Sequence, residues 1–195
     1  TPTVTVGTPK VTGGHWHTVA LKSDGAVWTW GHNFDGELGD GTTNTRYIPA
    51  QVNGLSDVIA IGAGNYHTIA LKSDETIWIW GHNGSSELGD GTTTNRTTPI
   101  RVSGLSGVSA IAGGVFHTIA LKLDGTVWSW GANWVGQLGD GTTIDKSTPV
   151  LVSGISNVIA IDGAYHHTAA LKSEGTVWTW GANDYGQLGD GTNTN

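Results

Sequence analysis

Four histidines, His17, His67, His117 and His167, each precede a Thr and stand fifty residues apart. Imidazole nitrogens bind zinc or copper when they converge to ~2.0–2.1 Å from one ion. A closed ring of units would set these four at one height, but nothing beside them supplies further ligands or an orienting shell. A His that opens a strand before Thr is instead expected to hydrogen-bond to backbone within or between units, and no metal is assigned. Asp40, Asp90, Asp140 and Asp190 recur in "LGDGT". A calcium loop needs several oxygen ligands on alternate residues, which one Asp followed by Gly-Thr does not supply, so these read as turn formers. No nucleophile recurs beside a base, no phosphate-cradling loop opens a helix, and no carboxylate has an apolar setting to raise its pKa. The expectation is a protein that is not an enzyme and uses no cofactor.

The bulk properties narrow the partners. The formal charge is −7 with only nine Lys and Arg, so no field draws the chain to phosphate backbones and no nucleic acid is expected. Without Cys there are neither disulfides nor thiolate sites. No apolar run approaches the ~20 residues of a membrane helix, so no membrane insertion is expected. The chain has no Met and is expected to be processed, renumbered or excised from something longer. An acidic, Thr-, Asn- and Gly-rich composition leans toward a bacterial, extracellular protein. Asn83-Gly84-Ser85 and Asn95-Arg96-Thr97 match the glycosylation sequon, a motif common by chance.

The elements that must position these residues follow from a repeat. "HTVALKSDGAVWTWG" at His17 returns at His67, His117 and His167 without one insertion, followed each time by Glu/Gln-Leu-Gly-Asp-Gly-Thr. Each unit reads as four short antiparallel strands. "VIAIGAG" at Val58 is an apolar inner strand. "HTIALK" and "TVWSWG" are joined by Asp24-Gly25 or its counterpart, expected to supply the positive φ of a two-residue hairpin turn. Glu75 in the second unit and Glu174 in the fourth suggest a different turn there. "TPIRV" at Thr98 reads as an outer edge strand that tolerates Pro. The Trp pairs, such as Trp78 and Trp80, lie two apart on one strand face and are expected to fill the space between sheets. Four such strands repeated at fifty residues predict an all-β fold, a β-propeller of four-stranded blades. The blades span approximately 8–52, 58–102, 108–152 and 158–195 plus 1–7.

The joint pattern in "HTIALKLDGTVWSWGANWVGQLGDGT" from His117, with its three counterparts, resembles the regulator of chromosome condensation repeat family, with a lean to bacterial-type repeats. The resemblance covers nearly the whole chain and implies a propeller, usually of seven blades; this sequence has four units. Family members include an exchange factor for a nuclear small GTPase and secreted bacterial propellers that grip a protein target. The exchange activity is not implied, because only the repeat framework matches. The opening "TPTVTVG" is similar to the Pro-bearing outer strand that the fourth unit lacks. It would complete the last blade, giving a closed four-blade ring or a strand-exchanged homodimer, or it ends a preceding blade of a larger propeller.

Up-and-down connectivity puts the segment before each "HT" and the segment between "WG" and "LGDGT" on one rim. These are where the units differ. Before the histidines stand His15-Trp16, Asn65-Tyr66, Val115-Phe116 and Tyr165-His166, and in the other connection stand Phe34-Asp35, Gly84-Ser85-Ser86, Trp134-Val135 and Asp184-Tyr185. Aromatic residues on adjacent rigid loops suit a protein-binding surface. The same side chains could instead cover the blade ends. The expected function is a non-enzymatic scaffold for a protein partner; a self-associating repeat module without a ligand and a lectin-like propeller are the alternatives.

Overall fold

A computed structural model describes residues 8–195. The first sheet comprises β1 (Lys10–Gly13), β2 (His17–Leu21), β3 (Val27–Gly31) and β4 (Arg46–Gln51). The second holds β5 (Val58–Ala63), β6 (His67–Lys72), β7 (Ile77–Gly81) and β8 (Arg96–Arg101). The third holds β9 (Val108–Gly113), β10 (His117–Lys122), β11 (Val127–Gly131) and β12 (Lys146–Leu151), and the fourth β13 (Val158–Gly163), β14 (His167–Lys172) and β15 (Val177–Gly181). Each sheet runs antiparallel in chain order, as the repeat predicts. The expected match between "TPTVTVG" and the fourth sheet lies outside the described residues.

Successive side chains of a strand point to opposite faces, so each sheet has two different faces to cover. Val19, Leu21 and Val27 leave the first sheet on one side and meet Ala70 and Trp80 of the second. Ile69, Leu71 and Ile77 meet Ala120 and Trp130 in the same way, and Ile119, Leu121 and Val127 meet Ala170 and Trp180. Three cores therefore lie between sheets rather than within one. Trp80 and Trp130 are fully buried. An aromatic ring of this kind removes ~150–250 Å² from water, which makes these indoles the main adhesive between blades. Inner strands meet in chain order, β1 with β5, β5 with β9 and β9 with β13. The fourth blade's outward face differs: Val27, Ile77 and Val127 are at most 1% exposed, whereas Val177 is 67% exposed. Val11, on the first strand at the other end, is likewise exposed. The described blades form an arc with two uncovered ends.

The hairpin at Asp24-Gly25 is not the two-residue turn expected. Gly25 N–H bonds to the Lys22 carbonyl at 3.0 Å and Lys22 N–H to the Ala26 carbonyl at 2.9 Å. Only Gly25 has positive φ, +81°. This is a type I turn followed by one left-handed residue, a longer hairpin loop closed by a bulge. Nor does the second unit depart from it. Glu75 adopts φ 65° and repeats the bonds to Lys72 and Thr76. In the fourth unit Gly175 does the same after Glu174. Turn geometry is set by the strands it joins, and Glu75 accepts the strain.

Candidate binding rim

Three of the repeated histidines are junction parts, and their partner is a Thr side chain rather than the backbone expected. His17 Nε2 lies 2.9 Å from Thr68 Oγ1 of the next blade, and His67–Thr118 and His117–Thr168 repeat the contact at 3.0 Å. Each Thr hydroxyl also donates to a backbone carbonyl of the preceding blade: Thr68 to Glu37 at 2.8 Å, Thr118 to Glu87 at 2.7 Å and Thr168 to Gln137 at 2.8 Å. Since that proton is committed, the Thr oxygen must accept from imidazole Nε2–H, which fixes the tautomer. The indoles of Trp80, Trp130 and Trp180 donate to the same three carbonyls. Burial pushes His17 down to about 4 and His67 and His117 down to about 3, so all three are neutral at physiological pH. Their imidazoles point into separate junctions, and among the described residues no group of three or more metal-ligating side chains converges.

The fourth histidine breaks the series. A Cβ placed on Gly14, Gly64 or Gly114 would fall 2.1–2.2 Å from the imidazole Cε1 of the His three residues on. The ring therefore packs directly over glycine. Unit four has Ala164 at that position, and His167 is only half buried.

The connection that carries the rim loops is anchored by an asparagine that sequence reasoning passed over. Asn33 is buried; its amide donates to the Thr42 carbonyl at 3.0 Å and the Asn44 carbonyl at 3.1 Å, and its Oδ1 accepts from Leu38 N–H at 2.9 Å. Asn83, Asn133 and Asn183 repeat this clamp. Asn83 thus spends its amide inside the fold, which removes the sequon at Asn83-Gly84-Ser85 from an enzyme's reach. Asp40 accepts from Thr42 N–H and its hydroxyl, the turn role expected of it, and pairs with Arg46.

A second set of rim residues was also missed. Glu37 and Glu87 are fully buried, and each carboxylate bonds the imidazole of His32 or His82 at 2.6 and 2.5 Å. The second oxygen accepts from Asp35 or Ser85 N–H and closes the loop. The hydrogen bond to Glu87 holds His82 above its usual value. In units three and four both members change together, to Ala132 with Gln137 and Ala182 with Gln187. The neutral amide keeps the loop bond, to Val135 N–H at 3.0 Å and Tyr185 N–H at 2.9 Å. A buried carboxylate needs its charge compensated, and a neutral amide carries no charge to compensate. The joint exchange at a spacing of five was the sequence signal.

These imidazoles link the predicted aromatics into a belt. Trp16, Tyr66, Phe116 and His166 occupy one equivalent position per blade, with ring centroids 6.0, 6.2 and 6.3 Å apart in turn. His32 bridges Trp16 and Phe34, His82 bridges Tyr66 and Phe116, and Trp134 bridges Phe116 and His166. His15 packs on Trp16, and Tyr165 on His166. Trp16, Phe34, Trp134 and Tyr165 are all strongly exposed, while Tyr66, Phe116 and His166 are half buried among them. Asn65 lies at the mouth of a central space of about 440 Å³ ringed by the inner ends of all four blades. Its carbonyl accepts from His15 N–H. Asp35 ties the first loop to the second through Asn95 at 2.8 Å. Not everything joins the belt. Val115 is buried, Val135 half buried, and Asp184 and Tyr185 project from the last loop, Tyr185 at 95% exposure.

Four-stranded antiparallel sheets fanned about a common space, each clamped to the next through one indole and one carbonyl, define a β-propeller protein. The family described as the RCC1-like domain matches residues 5–195, and the chain belongs to that family. Human WBSCR16 superposes with a TM-score of 0.86 at 26% identity, covering 97% of this chain and 51% of that one. Yeast RCC1 (Prp20), in a complex with Kap60, gives 0.85 at 22% identity over 100% of this chain and 48% of that one. The chain thus spans about half the length of these solved relatives. Human E3 ubiquitin-protein ligase HERC2 is 50% identical over 42 residues, 22% of this chain and 1% of that protein.

Proposed function

We propose that this chain is a non-enzymatic scaffold that holds a protein partner against the rim formed by His15, Trp16, Phe34, Asp35, Asn65, Tyr66, Phe116, Trp134, Tyr165 and His166, with Asp184 and Tyr185 at its end. The observation that carries the reading is the unbroken belt of rings crossing all four blades. Aromatic side chains fixed on a rigid frame lose little entropy on binding and are enriched at interface hot spots. Yeast RCC1 is a protein-binding relative, seen with Kap60, and Prp20p has been examined for its binding to Gsp1p and histones. No nucleic acid partner is proposed. The test replaces Trp16, Tyr66, Phe116 and Tyr165 by Ala together. Partner capture is expected to vanish while the melting temperature holds; a protein that unfolds would show the rings to be core. Binding on a glycan array by the intact chain would favour the lectin-like alternative.

A second reading is self-association as a homodimer, favoured by the uncovered faces at both ends of the arc, where Val11, Val177 and Trp178 stand exposed. The solution mass decides it, since one chain weighs 20.3 kDa.

A further inference from the structure

The cations of this chain keep out of the rim segments, whereas its carboxylates stand at both ends. None of its nine Lys and Arg falls in the rim segments 13–17, 31–45, 63–67, 81–95, 113–117, 131–145, 163–167 and 181–195. Four of them, Lys22, Lys72, Lys122 and Lys172, lie over Trp28, Trp78, Trp128 and Trp178. Those tryptophans sit where β3, β7, β11 and β15 leave the hairpins, away from the rim. Arg46, Arg96 and Lys146 are spent on Asp40, Asp90 and Asp140. The rim segments, by contrast, hold Asp35, Asp145, Asp184 and Asp190, and among the described residues none of these four has a salt-bridge partner. Aromatic faces in an anionic field attract cations, Arg most of all.

The belt also has a pitch. Its one-per-blade rings recur every 6.0–6.3 Å. An extended peptide rises ~3.2–3.4 Å per residue, less when twisted, so alternate side chains recur every ~6.5 Å on one side. We propose, on the strength of the protein-binding reading above, that the rim takes an extended basic segment of its partner. Arg or Lys at alternate positions lies over successive rings from Trp16 to His166, with Asp35 beside the first two blades and Asp184 at the far end.

The experiment titrates the purified chain at about pH 7.5 with the fluorescently labelled peptide Arg-Thr-Arg-Thr-Arg-Thr-Arg and follows anisotropy. Two control peptides are a clustered one with four Arg followed by three Thr, and one with Glu replacing every Arg. The alternating peptide should bind saturably, about tenfold more tightly than the clustered one, and the Glu peptide not at all. Raising salt from about 50 to about 500 mM should weaken it. Trp16→Ala and Trp134→Ala change exposed rings and should each cost about tenfold in affinity without moving the melting temperature. Asp184→Lys, at an exposed position, should weaken binding to a smaller degree. Equal affinity for both Arg peptides overturns the register, and binding of the Glu peptide, or of none, overturns the basic partner. If the basic peptides fail while the four-ring Ala variant still loses a protein partner, the scaffold reading survives this inference. If that variant keeps its partner, the scaffold reading itself is wrong.

Discussion

The three inner junctions and the outward face of the fourth blade use nearly the same residues to different ends. Between blades, His, Thr, Trp and one carbonyl close a dry seam: His67, Thr68, Thr118, Trp80 and Trp130 are all fully buried. On the fourth blade the matching His167 is half exposed, Val177 is uncovered, and Ala164 occupies the place of the glycine beneath the imidazole. The difference teaches that the repeat is not the unit of stability. A blade acquires a core only by meeting the next one, as expected when stability resides in neighbour interfaces.

Acid should expose that contrast most strongly. The folded values of His17, His67 and His117, about 4, about 3 and about 3, lie below the ~6.5 of an unfolded His. Stability from these groups is fully present above pH ~6.5 and drains away as pH falls toward 4 and below, because the unfolded chain takes up protons that the native one refuses. The summed effect is on the order of several kcal/mol, enough to unfold an ordinary domain. Thermal melts from pH 7 to 4 should show it; a flat profile would mean the imidazoles are not held neutral in the seams.

Removing the adhesive ranks next. Trp80→Ala should cost about 3–5 kcal/mol in urea denaturation, and Trp180→Ala less because its ring is only partly buried. Equal costs would erase the distinction between inner and outer blades. Gly64→Ala imports the fourth unit's residue into a closed seam. Its Cβ would meet His67 Cε1 at 2.1 Å and the Gly114 carbonyl at 2.4 Å, so about 2–3 kcal/mol should be lost. The reciprocal Ala164→Gly should be almost silent. The smallest effect sharpens the comparison from the turn side. Glu75→Gly relieves a left-handed residue that three other units fill with Gly, for a gain of about 0.5–1 kcal/mol. A loss there would show that the Glu75 side chain contributes contacts.

Strand order and the four antiparallel sheets were legible because a period of fifty without insertions repeats each strand's pattern four times. That His17 forms a hydrogen bond rather than binding metal was legible, but its partner was not: the expected backbone group is instead the Thr68 hydroxyl, which lies in the next unit. The hairpin loop was misread because Asp-Gly suits two turns, and only the spacing of the paired strands chooses between them. Asn33 escaped notice for the opposite reason. It never varies across the four units, and attention to variable positions hid an invariant clamp. His32 with Glu37 could have been found by asking which exchanges travel together, since the pair becomes Ala and Gln in both later units.

One residue in each of the first three units answers to two neighbours through different atoms. Glu37, Glu87 and Gln137 turn their side chains into their own loop and offer their main-chain oxygen to the Thr and Trp of the following blade. Mutation edits side chains and leaves peptide oxygens alone, so the seam is insulated from whatever selection does to the loop. Whole units can be duplicated, reordered or given new loop chemistry while the mortar between them stays the same.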